Sequence, residues 1–180
     1  CVSEGGQVIC VRLALFAQMM KGKAWTPASL KQVGGPQGIG AMFLEETFSS
    51  SRASPEHRYH QRAARAILGE LLPDSGSDIK GQMKSYDELM SSSGYSGRMQ
   101  DFADLIEILD SELRLITPTD PGGVPSDAGD RSSESSCRYY QLTHDYLVPS
   151  LRDWLTRKQR ETRRGRAELR LLERAALWKA

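Results

Sequence analysis

Residues 139–147 read YYQLTHDYL. Tyr139, Tyr140, Gln141 and Leu142 form an aromatic-rich, strand-prone run. From Leu147 onward the pattern changes: Leu147, Leu151, Trp154 and Leu155 recur at three- and four-residue steps and line one helical face. A strand therefore hands over to a helix across Thr143, His144 and Asp145. A plain helix cap needs only the threonine, so the His-Asp pair calls for another explanation. Pro149 lies early in the helical run and is expected to kink it.

Working upstream, LRLITPT (113–119) alternates well enough to be the partner strand, and RYYQL (138–142) is the return. Between them, DPGGVPSDAGDRSSESS (120–136) holds only turn formers and polar residues, so the two strands read as a hairpin with a long tip. Before the hairpin, residues 98–109 place Met99, Phe102, Leu105, Ile106 and Leu109 on one helical face. SYDELMSSSG (85–94) is a short capped helix closing on Gly94, and SDIKGQM (77–83) is expected to hold a short strand. SPEHRYHQRAARAILGELL (54–72) is a helix with Ser54 as cap and Pro55 in its first turn; Tyr59, Ala63, Ala66, Ile67 and Leu71 form its expected apolar face, and Pro73 ends it. Thr26 and Pro27 open a further short helix. VGGPQGIG (33–40) is expected to break it, with a helix resuming over 42–48, and residues 8–21 read as a buried helix.

Helix, short strand, helix, helix, hairpin, helix is the order of a winged-helix domain. The expected fold is mainly α with a small β-hairpin: a winged-helix-like domain followed by a long basic helix. Residues 1–50 are expected to be a helical segment continuing from an upstream core, residues 51–156 the winged-helix-like domain with a long wing loop at 119–137, and residues 157–180 a basic helical linker.

The chain has 180 residues and a net charge of +1, unevenly spread. Residues 157–180 hold nine Lys/Arg against three Glu, a net +6 that leaves −5 for the rest. A basic arm thus follows an acidic body. Within the arm, Leu169, Leu172 and Ala176 give one apolar stripe, and Glu161, Glu168 and Glu173 interleave as helix-pairing charges. Contact of the arm with nucleic acid or acidic lipid is the competing reading.

Several chemistries find no support. Cys1, Cys10 and Cys137 are odd in number and contain no CxxC pair, so neither a disulfide framework nor a zinc site follows, and a reducing cytoplasm is the expected location. The apolar run at 8–20 contains Arg12 and is shorter than the roughly 20 residues a bilayer span needs. GGPQGIG lacks the Lys and Ser/Thr of a phosphate-binding loop and follows no strand, so it reads as a turn. His57 and His60 have metal-compatible spacing, but no cysteine or carboxylate motif joins them. Glu45 and Glu46 look like a solvated face. Winged helices often read DNA with the helix before the wing. Here that helix carries Asp101, Asp104, Glu107 and Asp110, with Glu112 following and only Arg98 opposing. Such a surface repels a duplex backbone bearing about one charge per 1.7 Å, so specific nucleic-acid binding is not expected. Position 1 is Cys and position 180 lies in a helical run, so we expect a piece of a longer protein.

The run YYQLTHDYLVPSLRDWLTRKQRETRRGRAELRLLERAALW (139–178) resembles the segment that follows the ATPase core in STAND-class signalling NTPases. LALFAQMMKGKAWTPASLKQVGGPQGIGAMFLEETF (13–48) and DFADLIEILDSELRLITPTD (101–120) are similar to the same group. The nearest likeness is to large multidomain bacterial proteins, especially of Planctomycetes. In these a Ser/Thr kinase domain and a STAND NTPase precede a formylglycine-generating-enzyme-like (sulfatase-modifying) or WD40 region. In the wider class the winged helix ends in a short strand, then Met-His-Asp or a variant, then a helix; the histidine reaches the β-phosphate of bound ADP and holds the switch off.

Carried over, the resemblance implies His144 as nucleotide sensor, Asp145 as its structural partner, and Thr143 where the class has Met. The implied cofactor is ATP/ADP, bound mainly by an upstream domain. The implied partners are the upstream NTPase domain and the downstream effector domain of the same chain, with other protein partners and oligomerisation on activation. The chain alone is not expected to be catalytic. A membrane anchor beyond residue 180 stays open, as do two rivals: a DNA-binding transcriptional regulator and a ligand-free interaction scaffold. On local physics alone, a histidine at a helix N-terminus sits beside free N–H donors and the positive dipole end, where an anion is favoured.

Overall fold

The computed structural model describes residues 24–32, 35–73, 82–119, 138–145 and 147–179, together with Ala17. Seven α-helices and three short strands follow one another among them: α1 (Pro27–Gln32), α2 (Gly35–Phe48), α3 (Pro55–Glu70), β1 (Lys84–Ser85), α4 (Tyr86–Ser93), α5 (Met99–Glu107), a wider π turn (Ile108–Glu112), β2 (Ile116–Thr119), β3 (Tyr139–Leu142), α6 (Leu147–Glu161) and α7 (Arg163–Lys179). The expected class, mainly α with a small β-hairpin, is the observed one. From α3 to β3 the elements follow the winged-helix order.

Local chemistry explains the element starts. Thr26 Oγ1 accepts from Ser29 N at 3.2 Å to open α1. Ser54 Oγ accepts from His57 N at 3.1 Å, with Pro55 in the first turn of α3. Ser85 and Glu88 cap α4 reciprocally: Ser85 N donates to Glu88 Oε2 at 2.8 Å, and Glu88 N donates to Ser85 Oγ at 3.3 Å. Gly94 ends α4 at φ 80°, the left-handed conformation glycine adopts without strain.

The sheet order is β1-β3-β2, antiparallel throughout. Ile116 pairs with Leu142 and Thr119 with Tyr139 across the hairpin. On β3, Tyr140 and Leu142 point into the core. Pro118 sits on the edge strand β2, where its missing N–H costs no ladder bond with a further strand. Beneath the sheet, Phe48, Ile67, Leu68, Leu71, Leu89, Phe102, Leu105, Leu109 and Trp154 are fully buried together, so α2, α3, α4, α5 and α6 share one core.

Several expectations shift. The helix expected at 42–48 begins at Gly35. Gly40 is needed there: a Cβ would lie 2.3 Å from Ser150 Oγ and 2.6 Å from Ser150 Cβ, so α2 approaches α6 too closely for a side chain. A short strand lies at Lys84–Ser85; of the strand expected at 77–83, residues 77–81 lie outside the described part. Tyr59 is 56% exposed, and the buried face of α3 is His60, Ala63, Ala64, Ile67 and Leu68. Met99 is exposed while Phe102, Leu105, Ile106 and Leu109 are buried. Pro149 lies in the first turn of α6, where a missing N–H leaves no helical bond unmade. The helix expected over 8–21 and the wing loop beyond Thr119 fall outside the described residues, apart from helical Ala17. No described helix is long and apolar enough to cross a membrane.

The boundary expected between residues 156 and 157 falls inside α6. Lys158, counted with the basic arm, is only 6% exposed. Its Nζ donates to Glu45 Oε1 at 2.7 Å and Glu161 Oε1 at 2.9 Å, and Trp154 Nε1 donates to Glu45 Oε2 at 3.1 Å. Burial acts against the lysine charge, but the hydrogen bonds to Glu45 and then Glu161 outweigh it and hold its pKa above the usual lysine range. Glu45, expected on a solvated face, thus clamps α2 to α6.

Candidate functional site at the strand-to-helix junction

Thr143, His144 and Asp145 bridge two buried anchors. Leu142 ends β3 in the core, and Leu147 and Val148 start α6 in the same core. The three polar residues lie between these anchors. Thr143 N donates to Leu115 O at 3.1 Å, extending the hairpin ladder by one bond. Thr143 Oγ1 is buried and has no hydrogen-bond partner among the described residues. It does not cap α6, which starts four residues later. His144 is half-buried and Asp145 exposed.

The backbone donors at this helix start are used differently from expectation. Leu147 N donates to His144 O at 3.1 Å, and Val148 N donates to Asp145 O at 3.0 Å. Pro149 has no N–H. The first three helical positions thus offer no free amide to an anion. The α6 dipole still places its positive end beside the junction, but a phosphate meeting it would have to be held by side chains, His144 foremost. An imidazole N–H can donate to a phosphate oxygen in either protonation state. The expected trio is therefore contiguous and fixed to the core, and the amide cradle is absent at Leu147, Val148 and Pro149.

The other two histidines lie elsewhere in the fold. His57 Nε2 lies 3.1 Å from Glu112 Oε2, and its ring packs on Phe48 at 5.9 Å between centroids. This ties the start of α3 to the end of the π turn. His60 is 2% exposed, with Nδ1 3.0 Å from Tyr95 Oη and its ring edge-on to Tyr59 and Tyr95. Burial lowers its pKa, against the partial opposition of Asp101, Asp104 and Glu56. Arg98 stacks on the Tyr95 ring at 4.8 Å and pairs with Asp101 at 2.6 Å and with the Tyr59 hydroxyl. The one cation expected to offset the α5 acids is thus already engaged. Glu56, Asp104, Glu107 and Glu112 line a single acidic groove beside α5.

Sequence reasoning missed the Glu45, Trp154, Lys158 and Glu161 cluster. Trp154 and Lys158 stand four apart on α6, and Lys158 and Glu161 three apart, but their partner Glu45 is more than 100 residues away. No local pattern announces such a pairing.

No family model, curated protein or solved structure matches this chain.

Proposed function

We propose that this chain is the regulatory winged-helix module of a STAND-class NTPase, which senses whether ADP or ATP is bound and passes that state to a downstream effector domain. The resemblance of residues 139–178 to that class suggests the reading. One observation supports it most directly: His144 and Asp145 are held between buried anchors at the junction where the class carries its sensor. In this reading His144 donates to a phosphate oxygen of ADP bound mainly by an upstream domain. Asp145 supports the turn through its backbone carbonyl, and Thr143 fills the position the class gives to Met. The spent amides at the start of α6 make the imidazole the main contact, so the switch rests on one side chain. The chain alone does not hydrolyse ATP. The acidic groove beside α5 weighs against the DNA-regulator alternative.

His144→Ala in the intact parent protein tests this. Loss of ADP retention, or activity without a signal, is the expected result. Unchanged ADP retention together with unchanged dependence on the signal would remove the sensing role and leave the interaction scaffold as the better reading. ATP turnover by the isolated 180 residues well above background would also sink it.

A further inference from the structure

The α7 helix is not a loose continuation of α6. Thr162 Oγ1 accepts from Gly165 N at 3.0 Å and caps it. A Cβ on Gly165 would lie 2.2 Å from Gln159 O, so glycine allows the two helices to meet closely. Arg166 Nη1 donates to Arg160 O at 2.8 Å and closes the last carbonyls of α6. Gly165 is buried and Leu169 half-buried, which identifies the side of α7 that faces the body.

The opposite side has a definite composition. At about 100° per residue, three adjacent stripes lie there, each repeating after seven residues: Arg163 with Arg170, Ala167 with Arg174, and Leu171 with Trp178. All six are exposed; Leu171 is 68% and Trp178 92% exposed. Glu168 lies off this face, tied to Arg164 at 2.8 Å. Arg163, Arg170 and Arg174 have no hydrogen-bond or ion-pair partner among the described residues. On this face three arginines stand beside a leucine and a tryptophan.

We infer that α7 is a peripheral membrane-binding helix, which lies along an anionic phospholipid surface with Arg163, Arg170 and Arg174 on the lipid phosphates and Leu171 and Trp178 at the headgroup–acyl boundary. Guanidinium groups match phosphate geometry in two-point contacts. An indole with one apolar and one polar edge suits the interface. The face runs about 22 Å along the helix axis, enough to meet several headgroups at once. Nucleic acid also offers phosphates. Its phosphate backbone gives an exposed leucine nothing to bury against. The inference does not depend on the nucleotide-sensing reading.

Flotation of the 180-residue chain with phosphatidylcholine vesicles, with and without about one third phosphatidylglycerol, tests it. Binding is expected only to the anionic vesicles, weakening as salt rises. Arg163→Gln, Arg170→Gln and Arg174→Gln together should lower the partition on the order of a hundredfold, at about fivefold per arginine. These side chains are exposed, so the urea midpoint should not move. A blue shift of tryptophan emission on anionic vesicles should vanish in Trp178→Phe. Equal binding to neutral vesicles, no binding at low salt, or indifference to the triple substitution would overturn the inference. Arginine-dependent binding to a duplex or single-stranded oligonucleotide in preference to vesicles would do so as well.

Discussion

Replacing Glu45 by alanine should destabilise the chain more than any other single carboxylate change near α6. Glu45 accepts from Lys158 Nζ at 2.7 Å and Trp154 Nε1 at 3.1 Å, and Lys158 and Trp154 are both buried. Hydrogen bonds to a charged group contribute about 1.5–3 kcal/mol, and stripping one partner from a buried pair costs about 3–5 kcal/mol. Two features lower this. The Glu45 side chain is 40% exposed, so water screens it, and Glu161 still holds Lys158. A loss of about 2 kcal/mol is the resulting expectation for Glu45→Ala. Glu161→Ala removes a more exposed acceptor and should cost below about 1 kcal/mol. Lys158→Met keeps the buried stem and removes the charge, so it should stay within about 1 kcal/mol of the parent. Adding it to Glu45→Ala should recover part of the loss, because no orphaned ammonium remains. Urea unfolding followed by circular dichroism reads each value, with an unchanged slope showing that only stability moved. A Glu45→Ala cost below about 0.5 kcal/mol, or a Lys158→Met cost as large as that of Glu45→Ala, would refute the clamp.

Other consequences are as direct. Thr143→Val keeps shape and removes a buried hydroxyl without a partner, so it should be neutral or stabilising by about 1 kcal/mol in the same urea assay; a clear loss would mean the hydroxyl is bonded. Gly40→Ala should cost about 1–3 kcal/mol, because the new methyl meets Ser150 Cβ, and Ser150→Gly in the same chain should restore most of it. His60 has a folded-state pKa below 6.5, so the unfolded chain binds the proton more readily. Its contribution is therefore complete above about pH 6.5 and declines as pH falls through that value toward the folded pKa. Urea midpoints measured from about pH 7.5 down to about pH 5, the window of histidine titration, should fall for the parent and fall less for His60→Gln; equal slopes would dissociate the acid loss from His60.

Much of the fold was legible in the residues. Ser54-Pro55, Ser85 with Glu88, and Gly94 mark helix ends through contacts spanning three or four positions, which a linear reading can see. The hairpin strands alternate visibly around a turn-rich stretch. The misplacements have physical causes. Gly35, Gly38 and Gly40 read as a break because glycine weakens a helix, yet packing of α2 on α6 outweighs that cost and even requires Gly40. Tyr59 fits an apolar periodicity, but its ring is held outside by Arg98 and Asp101. Arg114 adopts φ 51°, a strained conformation for a side chain, where the chain turns from the π turn into β2. No residue type forecasts that.

Taken by itself, the sequence determined the class of fold, the order of its elements and the position of His144 and Asp145 between a strand and a helix, because hydrophobic period and capping are local. Tertiary structure alone decided how that junction is used. The first amides of α6 are already bonded to the turn, and the Thr143 hydroxyl is buried. It also decided that Lys158 belongs to the core and that Arg163, Arg170 and Arg174 face away from it. Charge can be counted along a chain, but whether a charge is solvated or clamped depends on residues brought near from far away, and only folding brings them there.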